Sequence, residues 1–238
     1  RPAGGHYPAD RGRAGAVAVI KLIRAEPGDA AVLSAVLAEA FFDLPPSRWL
    51  ISDEASRRRI FPAYFQIFVD HALACEVVHT TPDRAAAALW LWMGQQPVPA
   101  PDNYAERLRE VTAPWTSRFI EFDAALESRH PAGAAHHHLA LLGVRPGQQG
   151  RGIGTALLRA HHRVLDQAGA AAYLEASSPR NRRLYERHGY ADLGPPICLP
   201  DGPRMFPMIR QPRSVAAAPD DPARVGVRPA ASDQREVR

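Results

Sequence analysis

The stretch that decides the reading is Leu141-Leu-Gly-Val-Arg-Pro-Gly-Gln-Gln-Gly-Arg-Gly-Ile-Gly-Thr-Ala-Leu-Leu158. An apolar strand ends at Val144. A loop carrying Gly147, Gly150, Gly152 and Gly154 leads into a helix that begins near Gly152. Glycines without Cβ let a ligand approach the main chain, and the first N–H groups of a helix have no partner of their own. The helix dipole adds partial positive charge there, and Arg145 and Arg151 add full charges, so the segment reads as a phosphate cradle. A glycine-rich turn that holds no ligand is the plainer alternative.

Spacing separates the phosphate ligands. A nucleotide P-loop needs Lys and Ser or Thr after its second glycine. Gly147 to Gly152 has that gap, but Ile153 and Gly154 follow, which excludes it. A dinucleotide fingerprint started at Gly152 meets Leu157 at its third position. Glu175 stands where a ribose-binding acid could sit, so a nicotinamide reading stays open. Seven residues between Val144 and Gly152 argue against it, being too many for that fold's tight first turn.

Around this unit the chain alternates strands and helices. Val17 to Ile23 is expected as a strand. Asp29 is expected to cap a helix with the stripe Val32, Val36 and Ala40, flanked by Leu33, Leu37 and Phe41, which stops before Pro45-Pro46. Helix is expected from Asp53 to Ala74, kinked or restarted at Pro62. Glu76 to Thr81 and Ala85 to Met93 read as an antiparallel pair. Helical material from Asn103 to Ser128 should break near Pro114. Strand 138–144, helix 152–168, strand 171–175 and helix 180–188 follow, stopped at Gly189, with strand from Tyr190 onward. The fold class expected is α/β: one domain with a mixed, mostly antiparallel sheet, one parallel strand pair and flanking helices. Residues 17–212 form that domain, between unpacked tails at 1–16 and 213–238, whose Pro-rich and charged composition suits no core.

The whole sequence, 238 residues with 46% apolar and 23% charged, can fill a real core. Its 2 cysteines cannot make a disulfide scaffold, so a reduced, cytoplasmic setting is expected, and no basic-then-apolar signal segment opens the sequence. The longest apolar run, Ala85 to Met93, is far below the ~20 residues of a membrane span. The net charge of +4 would allow an anionic partner, but Arg-rich usage is explained equally by composition; no nucleic-acid or membrane partner is expected.

Gln149-Gly-Arg-Gly152-Ile-Gly154 follows the pattern [QR]-x-x-G-x-[GA], and Asn181-Arg-Arg-Leu-Tyr-Glu-Arg-His-Gly-Tyr190 lies downstream. In this order and spacing they resemble the GCN5-related N-acetyltransferase (GNAT) family, over about residues 17–212. The resemblance implies an acetyl-CoA co-substrate without a metal. It also implies a small-molecule amine acceptor, such as an aminonucleoside antibiotic, and leaves a homodimer open. It places Gln149, Gly150, Arg151, Gly152, Ile153, Gly154 and Thr155 on the pyrophosphate, and Leu142, Gly143 and Val144 along the pantetheine arm, where the strand splays. Asn181 would bond that arm, or else cap a helix. Tyr185 would be the acid for the leaving thiolate and Glu175 the base, with a core aromatic and a salt-bridged carboxylate as the plainer readings. The chain has Ser178 where the family more often has Asn. A protein or peptide acceptor and a non-catalytic acyl-CoA sensor are the rival functions.

Phe41, Phe42, Trp49, Tyr64, Phe65 and Trp92 could line an acceptor pocket, or serve only as core. His136-His137-His138 reads as the polar start of a strand. Only His136 and His138 share a face, and no Cys or carboxylate stands at ligand spacing, so no metal is expected.

Overall fold

The structure, a computed structural model, describes residues 20–75 and 78–214. Both expected tails fall outside it apart from 213–214, as do residues 17–19 of the expected first strand. The strands are β1 (Ile23–Arg24), β2 (Val78–Thr80), β3 (Ala86–Met93), β4 (His136–Val144), β5 (Ala171–Ala176), β6 (Ala191–Asp192), β7 (Ile197–Cys198) and β8 (Arg204–Arg210). The helices are α1 (Ala30–Phe41), α2 (Pro45–Leu50), α3 (Glu54–Cys75), α4 (Tyr104–Thr112), α5 (Thr116–Glu127), α6 (Ile153–Ala168) and α7 (Pro179–Glu186). They form one mixed α/β sheet in the order β1-β2-β3-β4-β5-β8-β6, with β7 also on β8. Only β4 and β5 run parallel, joined through α6. The expected fold class is the one observed.

The sheet is covered on both faces, which is why β3 reads as an unbroken apolar run. Ala87 and Leu89 face α1, α3 and α5, in a core with Leu33, Leu37, Ile60, Phe61, Tyr64 and Phe119. Ala86, Ala88 and Trp90 face α6, in a second core with Leu157, Leu158, Leu165, Leu174 and Met208.

Register across β3 and β4 breaks once. Leu89 pairs with Leu141 and Trp90 with Leu139, so Ala140 is one residue extra on β4. A bulge of this kind reverses which face each later side chain takes. Before it, His137 and Leu139 lie on the α6 side and His138 on the other. After it, Leu142 and Val144 take the α6 side, and Gly143 faces α1.

Sequence expectation and structure differ at a few points. Asp29 is the N-cap of α1 as expected, but its side chain makes no cap; the carboxylate accepts from Glu26 N–H at 3.0 Å and from Arg84 at 2.9 Å. Val32 of the expected stripe is exposed. The expected break at Pro62 is absent: α3 is one 22-residue helix, buried at Ile60 and Phe61 before the proline and at Tyr64 and Phe65 after it. That packing outweighs the one hydrogen bond the proline removes. α1 stops at Phe41, before Pro45-Pro46 as expected; α2, which the sequence reading did not include, then starts at Pro45, because proline's fixed φ suits a first turn, with Leu44 extended before it. The strand from Tyr190 is only the two-residue β6, and the longer partner of β5 is β8.

Candidate functional site

β4 and β5 pair only at His136–His138 with Ala171–Tyr173. Beyond that point β5 stays paired with β8 on its other edge only, and β4 and β5 diverge. A cavity of about 910 Å³ opens in the gap. It runs from the β4–α6 loop past Leu142, Gly143, Val144, Glu175 and Tyr185 to the rings of α1, α3 and α5.

At the loop end, Gly147, Gly150 and Gly152 have φ of +83°, +76° and +85°. A Cβ on Gly147 or Gly150 would meet nothing within 4 Å, so those glycines are needed for backbone conformation and not for space. Gln149 pins the loop by donating from Nε2 to Val144 O at 2.9 Å. Gly152 is the N-cap of α6 and no side chain caps it, so the helix's first N–H groups are free toward the cavity. An N-terminus of this kind binds phosphate through aligned amides and dipole. The groups present therefore fit a diphosphate, and the diverging strands fit an extended amide-bearing arm.

Of the residues expected to bind cofactor, Leu142, Gly143, Val144, Gln149, Gly150, Gly152, Ile153, Gly154, Thr155 and Asn181 line this cavity; so do Glu175 and Tyr185. Arg151 does not: it is exposed on the outer side of the loop. Arg145 is turned to Glu39, at 3.5 Å, while Arg180 and Arg187 of the α7 region reach the cavity instead. The missing side chain of Gly143 serves packing, since a Cβ there would come within 2.8 Å of Leu37 and 3.0 Å of Ala40. Asn181 is not the cap of α7. Ser178 is, accepting from Asn181 N–H at 3.2 Å, while Asn181 Nδ2 donates to Ser177 Oγ at 2.8 Å.

Glu175 and Tyr173 alternate with Leu174 on β5, so they face the α3–α5 side. Oε2 of Glu175 meets His138 Nε2 at 3.0 Å, and Oε1 is buried without a partner. Burial alone would raise this carboxyl. The charge and hydrogen bond of His138, the Tyr173 hydroxyl and the charge of His130 outweigh it and hold it below its ordinary value. Burial pushes the Tyr185 phenol up, so it keeps its proton at neutral pH.

The three histidines open β4, as expected, but none of them is exposed. His136 is 1% exposed, and its Nδ1 lies 2.7 Å from Ala134 O. A carbonyl only accepts, so Nδ1 carries the proton and Nε2 is left to accept from His130 Nε2, at 3.4 Å. Burial lowers both His130 and His136 and keeps them neutral. Glu175 supplies the carboxylate partner that sequence spacing did not show, through the parallel pairing of β4 and β5. Among the described residues no group of three or more His, Cys, Asp or Glu could hold a metal ion.

The aromatic set divides. Phe41, Tyr64 and Phe65 line the cavity; Phe42, Trp49 and Trp92 do not. Phe42 lies under Arg57 and Arg58 at 5.0 and 4.9 Å, Trp49 donates to Pro200 O at 2.8 Å, and Trp92 stands 5.0 Å from His137. Phe61, Phe68, Phe122, Asp123, Leu126 and His138 also line the cavity and were not singled out from the sequence. One of them carried a signal: Asp123 interrupts the apolar stripe of Phe119, Phe122 and Leu126, where an acid is out of place.

Residues 119–192 match the family model for the acetyltransferase (GNAT) domain. An uncharacterized N-acetyltransferase of Schizosaccharomyces pombe is 26% identical over 183 residues, covering 70% of this chain and 72% of that one. The fold is shared with a Corynebacterium glutamicum protein described as histone acetyltransferase HPA2 and related acetyltransferase, at TM-score 0.60 and 23% identity, over 83% of this chain and 98% of that one. It is shared too with arylalkylamine N-acetyltransferase 2 of Aedes aegypti, at TM-score 0.56 and 13% identity, over 81% and 99%. The family model thus matches 119–192, the β4–α6–β5–α7 part of the chain, the yeast relative is similar over most of its length, and the solved structures share the fold.

Proposed function

We propose that the chain is an acetyl-CoA-dependent N-acetyltransferase that acts in the cytoplasm on a primary amine of a small molecule. The observation that carries this is the α6 end of the cavity. Three glycines at positive φ lead to an uncapped helix N-terminus that opens directly into the gap between β4 and β5. An aminonucleoside-like antibiotic as acceptor is suggested by likeness to puromycin N-acetyltransferase. That likeness spans Ala40-Phe41-Phe42-Asp43, Glu175-Ala-Ser-Ser-Pro-Arg-Asn181 and Asp201-Gly-Pro-Arg204.

In this reading the amine nitrogen attacks the thioester carbonyl carbon, the C–S bond breaks, a base takes the amine proton and an acid protonates the departing sulfur. Glu175, backed by His138, is the base within the cavity, directly or through water. Tyr185 is the acid. Its phenol holds a proton at neutral pH that can pass to the departing sulfur of the thioester. The main-chain N–H groups of Leu142 and Val144, on the edge of β4 turned away from β3, face the developing oxyanion in this reading. An enclosed, ring-lined acceptor end supports a small amine over a peptide chain.

The test is thiol release from acetyl-CoA against a panel of puromycin, polyamines and peptide N-termini. Turnover on small amines is expected. Turnover on peptides alone would favour the protein acetyltransferase reading. Coenzyme binding without turnover on any amine would favour a sensor domain.

A further inference from the structure

The acceptor end of the cavity carries one acid that the proposed chemistry does not use. Asp123, on α5, lines the cavity beside Phe122 and Leu126, opposite Tyr64, Phe65 and Phe68 of α3. These rings form a continuous wall: Tyr64 lies 5.2 Å from both Phe65 and Phe68, and Phe65 lies 5.2 Å from Phe41. The carboxylate is fixed from behind, where Tyr104 donates its hydroxyl to Oδ2 at 2.7 Å. No ion pair to Asp123 is made among the described residues, and the only arginines lining the cavity, Arg180 and Arg187, belong to the α7 region beside the loop. Burial pushes the Asp123 carboxyl up, and Tyr104 offsets this only in part. A half-buried acid with no cationic partner, aimed into an aromatic enclosure, is an incomplete ion pair. Its natural complement is a cation, which the ring faces also attract.

The acid and base assigned to the transfer, Tyr185 and Glu175, belong to α7 and β5 where β4 and β5 diverge, whereas Asp123 belongs to α5 and is tied to Tyr104 of α4. The nitrogen at Asp123 is therefore read as a second one, and not as the one acetylated at the divergence. We infer that Asp123 is a specificity-determining residue that binds a second, cationic nitrogen of the acceptor, so that the favoured substrate class is a diamine built on an apolar or aromatic body. This rests on reading the cavity as the acceptor site of an acetyltransferase.

Two probes of nearly the same shape test it: 1,4-bis(aminomethyl)benzene, with two ammonium groups, and 4-(aminomethyl)benzyl alcohol, with one. Binding to the full chain saturated with coenzyme A is measured by calorimetry at pH 7.5, without turnover. The diamine is expected to bind at least about tenfold tighter, the scale of one hydrogen bond to a charged group. Asp123→Asn, which still accepts from Tyr104, is expected to erase that preference, and Tyr104→Phe to reduce it while leaving it measurable. Equal affinities in the unaltered protein, no binding by either probe, or a preference that survives Asp123→Asn would each overturn the inference.

Thiol release from acetyl-CoA keeps the two readings apart. If the Asp123-dependent preference is present but neither probe is acetylated, the transferase reading falls and the cation site stands. If both probes are acetylated with equal kcat/KM in the unaltered protein and in Asp123→Asn, the inference alone falls.

Discussion

At the α6 end of the cavity the working surface is main chain: three glycines with φ between +76° and +85°, a helix start with no cap, and two strands that stop pairing. At the α3–α5 end it is side chain: rings drawn from α1, α3 and α5, with the Asp123 carboxylate among them. A backbone surface recognises what every acyl-CoA has in common, and its requirements are local glycines and a register. A side-chain surface recognises what is particular to an acceptor, and it can be rebuilt by single substitutions without disturbing the first. Class and substrate are thus written in different parts of this molecule.

The sharpest break in that comparison comes at Gly152. A valine there would combine a β-branched residue with φ near +85°, its Cβ 3.5 Å from Ile20, and so distort the main chain of the cradle. Gly152→Val is expected to abolish coenzyme A binding by calorimetry while circular dichroism stays native. Normal affinity would show that the main-chain surface is not the binding surface. Next in size, Tyr185→Phe should lower kcat about 10- to 1,000-fold with near-normal coenzyme affinity. An unchanged kcat would remove the phenol from the chemistry.

His138 lies where the two surfaces meet, and its effect should be smaller and visible in pH. Glu175 is charged, and so able to act as base, above a folded pKa held below its ordinary value. The acid limb of kcat/KM therefore lies low. Removing the neighbour leaves burial as the dominant influence, so His138→Ala should move that limb to higher pH, and Glu175→Gln should remove it. A limb that stays in place in His138→Ala would separate the pair.

The smallest effect is on stability, behind the cofactor end. His161 and His162 on α6 are buried, one stacked on Trp90 at 4.1 Å, and desolvation, helped by neighbouring cations and histidines, pushes both down to about 3. Unfolded, they would titrate near ~6.5. Below that pH the unfolded chain binds more protons, so the stability they confer is present above about 6.5 and is lost as pH falls toward 3. Between pH 7 and pH 5 each should cost about 2 kcal/mol in urea unfolding. His161→Phe should flatten that dependence, and an equally steep fall in the variant would refute the assignment.

How far the sequence reached depended on whether a signal was local. The β4–α6–β5 unit, its glycine loop and the α7 segment were legible, because positive φ, an N-cap position and a strand-helix period are each set within a few residues. Pro62 misled because the packing of Ile60, Phe61, Tyr64 and Phe65 against the sheet overrides what proline does to a lone helix. Pro45-Pro46 was read only as a stop, while proline's φ also suits the first turn of α2. Arg151 has the right neighbours in sequence, but it is exposed and does not line the cavity.

By itself, then, the amino-acid order determined the mixed sheet, the helix start that can bind a phosphate, and the residues that surround it. It could not determine that Glu175 would meet His138, 37 positions away, nor that Asp123 would face Tyr64 and Phe68 across a cavity. Those pairings depend on a one-residue bulge at Ala140, which sets which face His138 takes, and on how α3 and α5 pack over the sheet. Side-chain parity and helix packing are sums over many weak contacts distant in sequence, and only the closed tertiary structure fixes them.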